Sequence, residues 1–248
     1  MSNISIITVS YNSEKTISRT IESVYNQTYQ PYEYIIVDGL SQDSTVEIAK
    51  RYEQKFKEKG IIYKVISEKD NGLYDAMNKG IAIADGELVG MINSDDWYEL
   101  DALKEVNEAY ANKCFDMSFA NLNLVKQNGI VILKKAQIRK FKTTRDWNHP
   151  TMFVRKEIYN RFQYDNNNLY ADYDMFLKIA GNGYKIITID KALANFSVGG
   201  VSNEKSFAGV VKRIKLRYRN YRNNGFSRLY IFESVFMELE YIFAFEYK

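Results

Sequence analysis

The chain has 248 residues, 46% hydrophobic and 26% charged, an ordinary globular composition for one large α/β domain or two small ones. A formal net charge of +3 is too mild to signal a nucleic-acid partner, and the one cysteine, Cys114, permits no intrachain disulfide. No apolar run approaches the roughly 18 to 20 residues of a membrane-spanning helix, and Met1, Ser2, Asn3 lack the basic start of a signal peptide, so a cytoplasmic chain is expected.

In chain order, Ile4 to Val9 reads as a buried strand, followed by a helix capped by Asn12 or Ser13 in which Ile17, Ile21 and Val24 recur at helical spacing. Tyr34 to Val37 forms a second strand ending at Asp38. Asp43 or Ser44 starts a helix bearing Val46, Ala49, Tyr52 and Phe56, which Gly60 terminates. Ile61 to Ile66 is a third strand, the polar loop Glu68 to Gly72 follows, and a short helix carries Leu73, Ala76, Met77 and Ile81 into a fourth strand. Strand and helix alternate, which predicts a mostly parallel central sheet flanked by helices with right-handed crossovers.

The fourth strand, Leu88 to Ile92, stops in Asn93, Ser94, Asp95, Asp96. Ligands bind at the carboxyl ends of parallel strands, and adjacent carboxylates there repel each other unless a hard cation intervenes. Either acid also suits a helix cap. Beyond it, Asp101 to Tyr110 reads as a helix, Met117 to Ala120 as a strand, and Leu122 to Leu133 as a hairpin turning at Asn128 and Gly129. After a loop-rich segment, Ala171 to Ile179 is a helix starting with Asp172, Tyr173, Asp174. From Lys205 to Arg228 the chain is basic without an acid, and Leu229 to Tyr247 is an aromatic helix that needs a surface to lie on.

The ordered pieces ITVSYN (Ile7 to Asn12), VDGLSQDST (Val37 to Thr45), EKDNGLYDAMNKGI (Glu68 to Ile81), ADGELVGMINSDDW (from Ala84), WNHPTMFVRK (from Trp147) and ADYDMFLKI (from Ala171) resemble glycosyltransferase family 2, especially bacterial members that build surface polysaccharides. The resemblance covers about the first 200 residues. It implies a GT-A (Rossmann-like) fold, a nucleotide-sugar donor such as a UDP-sugar, and single displacement with inversion at the anomeric carbon. A catalytic unit is accordingly expected over 1–204, with a nucleotide-sugar half at 1–100 and an acceptor half at 101–204, and the basic and aromatic pattern beyond it predicts a helical C-terminal extension at 205–248.

Residue by residue, the resemblance places the backbone around Thr8 and Tyr11, together with Asp38 and Asp70, around the nucleoside. An acceptor oxygen at Asp38 suits a base N–H, and Tyr11 offers a flat face. The loop readings, an Asx-turn at Asp38 and a turn opener at Asp70, stay open. The family's DxD motif falls on Asn93, Ser94, Asp95, where Asn replaces the first Asp; an amide still hydrogen-bonds but brings no charge. Asp95 is then the implied ligand of Mg²⁺ or Mn²⁺, and His149 is expected near the metal or diphosphate. Asp172 matches the family's general base, with Ala171 standing where Glu is common and Asp174 as the rival.

The Gly199 to Ser202 loop reads as a lid or an ordinary turn. The basic and aromatic extension suits a solvated face, peripheral contact with an anionic membrane carrying a lipid-linked acceptor, or a homodimer contact. A nucleic-acid module is disfavoured by acidic strand ends. A catalytically weak scaffold remains an alternative because of Asn93 and Ala171.

Overall fold

Seven buried residues in a row, Ile4–Ser10, form the central strand β1. Its apolar run is continuous because both faces of the sheet are covered. In the computed structural model, which describes residues 2–198 and 207–246, β1 pairs in parallel with β2 (Glu33–Asp38) on one edge and β4 (Leu88–Met91) on the other. Strand β3 (Ile62–Ser67) extends the parallel set beyond β2. The expected βα alternation is therefore present, and it creates a switch point between β1 and β4, where successive crossovers leave in opposite directions.

The rest of the sheet is mixed. With β5 (Trp97–Tyr98), β6 (Met117–Val125), β8 (Phe153–Arg155) and β9 (Ile186–Ser197), the order is β3-β2-β1-β4-β8-β6-β9-β5, and β7 (Val131–Lys134) hangs on β6 as the expected hairpin. Strand β8 runs antiparallel between β4 and β6, whereas β6 and β9 are parallel. Sequence reading missed β9 because polar Thr188, Asp190 and Lys191 interrupt its apolar positions; β9 is covered unevenly, so its pattern is neither fully buried nor alternating.

The two faces carry separate cores. On one face Ile7, Val9, Ile35 and Val37 meet α4 (Leu73–Ile83) and α7 (Ala171–Gly181); on the other Ile4, Ile6, Tyr34 and Ile36 meet α1 (Ile17–Tyr25) and α5 (Ala102–Lys113). Each fully buried Ile contributes about 1.5–3 kcal/mol relative to exposure. Two expected helix boundaries are corrected. Helix α1 begins at Ile17 rather than at an Asn12 or Ser13 cap, because those residues brace the neighbouring loop: Asn12 Oδ1 accepts from Gln42 N at 2.8 Å, and Ser13 N donates to Thr45 Oγ1 at 2.7 Å. The single helix expected from Asp43 or Ser44 is two, α2 (Thr45–Lys50) and α3 (Glu53–Glu58), broken at Arg51 and Tyr52 and ended by Gly60 at φ +72°.

The remaining helices are α6 (Lys156–Tyr159), α8 (Phe207–Asn223) and α9 (Tyr230–Glu246). The extension is helical as expected, and it shares the body's core. Tyr221 and Tyr230 stack at 4.2 Å, and the Tyr221 hydroxyl lies 3.0 Å from that of Tyr173 in α7. Its basic character is partly neutralised internally, since Glu238 of α9 pairs with Arg213 at 2.9 Å and Arg217 at 3.4 Å. The Gly199 to Ser202 loop lies outside the described residues.

Candidate active site

The carboxyl ends of β1, β2 and β4 bring the first group of candidate residues together. Asp38, 1% exposed, is saturated: Oδ1 accepts from Ser10 Oγ at 3.0 Å and from Ser41 Oγ, and Oδ2 accepts from Ser41 N and Ser67 Oγ, both at 2.9 Å. A carboxylate has about four lone-pair sites, so a nucleobase would reach Asp38 only by displacing one of these donors. The carboxylate braces the turn through Ser41 N, three residues on, rather than through the two-residue bond of an Asx-turn. Thr8 is likewise committed through its side chain, which meets Tyr34 OH at 2.9 Å in the core, leaving its backbone as the part able to face a ligand.

Tyr11 and Asp70 both stand against Gly39, at the carboxyl end of β2. Tyr11 is 63% exposed, and a Cβ on Gly39 would stand 2.5 Å from Asp70 Oδ2 and 3.5 Å from the Tyr11 ring. A side chain at 39 would push the Asp70 carboxylate from this place. Asp70 Oδ1 also accepts from Gly72 N at 2.9 Å, so the turn reading holds while Oδ2 faces Gly39.

The loop after β4 is held from below and open above. Ser94 Oγ meets Ser13 Oγ at 2.7 Å, and the Asp95 carbonyl accepts from Arg19 Nη2 and Ser197 Oγ, each at 2.7 Å. These contacts use the Asp95 backbone and leave its half-buried carboxylate without a hydrogen bond among the described residues. Asn93 Oδ1 is buried and has no hydrogen-bond partner among the described residues. Asp96 is different: fully buried, it accepts from Ser197 N at 3.0 Å, and burial, reinforced by the Asp95 charge, pushes its carboxyl up to about 8. Asp96 anchors β9 to the loop, while Asp95 faces outward.

Arg19 is a functional candidate that sequence reading missed. Its guanidinium lies 3.7 Å over the Trp97 ring and bonds the Asp95 carbonyl, placing a cation beside the acidic loop. Burial lowers its pKa, and Asp96 and Asp95 oppose that shift. The available signal was its position in the first turn of α1, on the helix that leaves β1 at the switch point.

The second half supplies Asp172, His149 and Lys134. Asp172 lies in the first turn of α7, whose N-cap is Tyr170, so neither Asp172 nor Asp174 is the cap. Asp172 Oδ1 accepts from Tyr173 N at 2.8 Å and from the Tyr74 hydroxyl of α4 at 3.1 Å. Asp174 points elsewhere: it is 5% exposed, pairs with Lys178 at 2.9 Å, and accepts from Asn224 at 2.7 Å. His149 Nε2 is buried without a hydrogen-bond partner among the described residues; burial lowers its pKa against the pull of Asp172. Lys134 donates to the Trp147 carbonyl at 2.8 Å, and burial brings its amine down to about 8 against the charges of Asp146 and Asp172.

Among the described residues no three His, Cys, Asp or Glu side chains form a ready metal cage. The donor set still fits a cation that takes most of its ligands from a diphosphate: an unpaired carboxylate at Asp95 and an orphaned amide oxygen at Asn93.

Residues 5–177 match the family model described as glycosyl transferase family 2, and the chain belongs to that family. It is 28% identical over 225 residues to an uncharacterized glycosyltransferase of Methanocaldococcus jannaschii, covering 86% of this chain and 76% of that one. It is also 28% identical over 222 residues to the putative teichuronic acid biosynthesis glycosyltransferase TuaG of Bacillus subtilis, with 87% of each covered. The fold is similar to that of S. aureus TarS 1-349 in complex with UDP (TM-score 0.72, 21% identity, 98% of this chain and 72% of that one). It is also similar to the mannosyltransferase PcManGT from Pyrobaculum calidifontis in complex with GDP-Man and Mn²⁺ (TM-score 0.66, 17% identity, 97% and 69%). The GT-A architecture expected from the motifs is thus present, and the chain is a glycosyltransferase.

Proposed function

We propose, from membership of glycosyltransferase family 2, that this enzyme moves a sugar with inversion from a nucleotide-sugar donor, a UDP-sugar by preference, to a hydroxyl of a saccharide or lipid-linked acceptor in cell-envelope polysaccharide synthesis. One observation carries the reading. Asp172 is hydrogen-bonded to Tyr74 of α4, the helix that follows the Asp70 loop, while Asp174 is consumed by Lys178 and Asn224. The fold thus keeps one second-half carboxylate beside the donor half. The TuaG name supports a polysaccharide product, and UDP in the TarS structure supports the donor class.

In this reading Tyr11, Asp70 and the turn held by Asp38 receive the nucleoside, and Arg19 adds positive potential near the diphosphate. Asn93 and Asp95 would hold Mg²⁺ or Mn²⁺, with His149 close to the same charge. When bound, the metal supplies Lewis-acid stabilisation of the leaving diphosphate. Asp172 takes the proton of the acceptor hydroxyl, whose oxygen bonds to the anomeric carbon as the bond to the diphosphate breaks and the electron pair leaves with it. The Tyr173 amide and the Tyr74 hydroxyl, whose one proton is shared with the Leu169 carbonyl at the same 3.1 Å, orient the Asp172 carboxylate.

Peripheral contact with an anionic membrane belongs to the same reading, and the hairpin supports it as well as the extension. Ile130, Val131, Ile132 and Leu133 are all exposed, and no acid stands between Met117 and Arg145 while Lys135, Arg139 and Lys140 point to solvent. No described helix is long and apolar enough to cross a membrane. A homodimer through the same surface is the second reading. Incubation with a panel of nucleotide sugars and Mn²⁺ tests the donor assignment: release of nucleoside diphosphate from at least one donor is expected, and none from any donor would favour the scaffold alternative.

A further inference from the structure

Helix α4 is pressed onto the sheet. A Cβ on Gly80 would stand 2.6 Å from the Ile7 side chain of β1 and 3.3 Å from that of Val37 of β2, so the helix sits closer to both strands than a larger residue would allow. Ala76, Met77 and Ile81 bury the same face in the core. Tyr74, Asp75, Asn78 and Lys79 flank that face half-buried, and they hold two loops.

The first loop carries Asp70. Lys79 Nζ donates to the Lys69 carbonyl at 2.6 Å and pairs with Glu68 at 2.9 Å, while Asp75 Oδ2 accepts from Asn71 N at 2.9 Å. Asp70 is thus fastened through the residue on either side of it. The second loop leads into Asp172. The Asn78 amide closes a two-point clamp on one residue of it: Oδ1 accepts from Tyr164 N at 3.0 Å, and Nδ2 donates to the Tyr164 carbonyl at 2.9 Å. Tyr74 stacks on the same Tyr164, with ring centroids 5.6 Å apart.

Asp75 joins the two grips. The oxygen held by Asn71 would suffice to close the helix start, but the other accepts from Asn166 Nδ2 at 3.2 Å, 91 residues further along the chain. Asn166 Oδ1 in turn accepts from Asn78 Nδ2 at 3.3 Å, so three side chains connect the Tyr164 clamp to the Asn71 amide. That amide, ahead of any other cause, holds the Asp75 carboxyl below its ordinary range, which keeps both oxygens as acceptors. Single displacement needs base and leaving group at a fixed separation, and a misplacement of about 1 Å costs about 10²-fold. Two loops far apart in sequence keep such a separation when both hang on one rigid helix. We propose that Asp75 and Asn78 are positioning residues that, with Asn166, tie the Asp70 loop to the segment before Asp172, so that nucleotide at the first aligns the carboxylate at the second. The role rests on the proposed donor and base assignments for its purpose; the tie itself can be read without them.

Asn166→Ala tests it, because Asn166 is exposed and contributes nothing to the core. Subsecond amide exchange on the free protein, read by mass spectrometry, should quicken several-fold both around Tyr164 and across the tie at Asn71. Asp75→Ala should quicken the same two regions, and the double variant should exceed the worse single variant by no more than about twofold, as residues acting as a unit do. UDP should slow exchange over 70–72 and 164–170 in the parent but only over 70–72 in Asn166→Ala, whose kcat should fall about tenfold with UDP affinity within about twofold of the parent. Quickening confined to the Tyr164 region, additive effects in the double variant, or UDP protection of 164–170 that survives Asn166→Ala overturns the tie. Failure of UDP to bind would instead count against the donor assignment, and exchange at Asn71 in the free protein would still decide the tie.

Discussion

The Tyr74 hydroxyl lies 3.1 Å from Asp172 Oδ1, joining α4 in the first half of the chain to the first turn of α7 in the second. Burial and the Asp172 charge both raise the Tyr74 pKa, so the phenol stays a hydrogen-bond donor at any working pH. Asp172→Asn is expected to lower sugar transfer by about 10² or more with donor affinity nearly unchanged, the scale of lost general-base help. Tyr74→Phe should cost about tenfold, because it removes orientation and leaves the base. Asp174→Asn should keep kcat while lowering thermal stability, since its carboxylate serves Lys178 and Asn224. A dead Asp174→Asn enzyme beside an active Asp172→Asn enzyme would exchange the two roles.

Asp95 offers the test of metal dependence. Its backbone carbonyl is engaged by Arg19 and Ser197, so Asp95→Ala should leave the loop in place and remove only the outward carboxylate. Calorimetric titration with UDP should show Mn²⁺-enhanced binding in the parent and none in Asp95→Ala, and turnover should fall by several kcal/mol of transition-state stabilisation, on the order of 10³-fold. Asn93→Asp should strengthen Mn²⁺ binding, because the orphaned amide oxygen would become a charged ligand. Equal turnover by Asp95→Ala and the parent would remove the metal from the reading.

The first 100 residues were legible because their strands are covered on both faces and their acids stand at strand ends, so Ile4 to Val9 and the strand-end position of Asp38 could be placed from pattern alone. Local loop chemistry was not. Asn12 and Ser13 look like caps, but their partners Gln42 and Thr45 are about 30 residues away, a distance no local rule sees. The choice between Asp172 and Asp174 rested on family position; the contacts of Asp174 with α8's neighbour Asn224 depend on how the extension folds back. Glu233 was not legible as a buried acid because, in a run of aromatics and acids, it reads as the solvated side of a helix, whereas packing buries it.

That burial makes a pH prediction with a definite sign. The Glu233 carboxyl is raised in the fold above its ordinary value, so between the ordinary glutamate range near 4.3 and its folded value the native state holds a proton that the unfolded chain has released. Native protein binding more protons means stability falls as pH rises through that window. Glu233→Gln, which cannot ionise, should lack this loss. Urea midpoints of parent and variant should therefore diverge between pH 4.5 and pH 8, with the variant the more stable at the upper end. Midpoints that fall in parallel would show that Glu233 is solvated in solution.

The attachment of the extension yields the last expectation. Glu238 is 2% exposed and receives Arg213 at 2.9 Å and Arg217 at 3.4 Å, and Arg217 also donates to the Ser234 carbonyl at 3.1 Å. Breaking a buried pair on one side strands the other charge, which costs about 3–5 kcal/mol, whereas a partly exposed pair such as Arg145 with Glu240 is worth about 0–1 kcal/mol. Glu238→Ala should therefore lower the melting temperature by many degrees while Arg145→Ala barely moves it. The loss should reach the body, because Tyr221 and Tyr230 sit in the same core as Tyr173, one residue from Asp172. Limited proteolysis of Glu238→Ala should then cut within α8 or α9, and sugar transfer should fall with it. A variant that loses the extension to protease yet keeps full transfer would separate the two, making the extension an accessory to a self-sufficient catalytic unit.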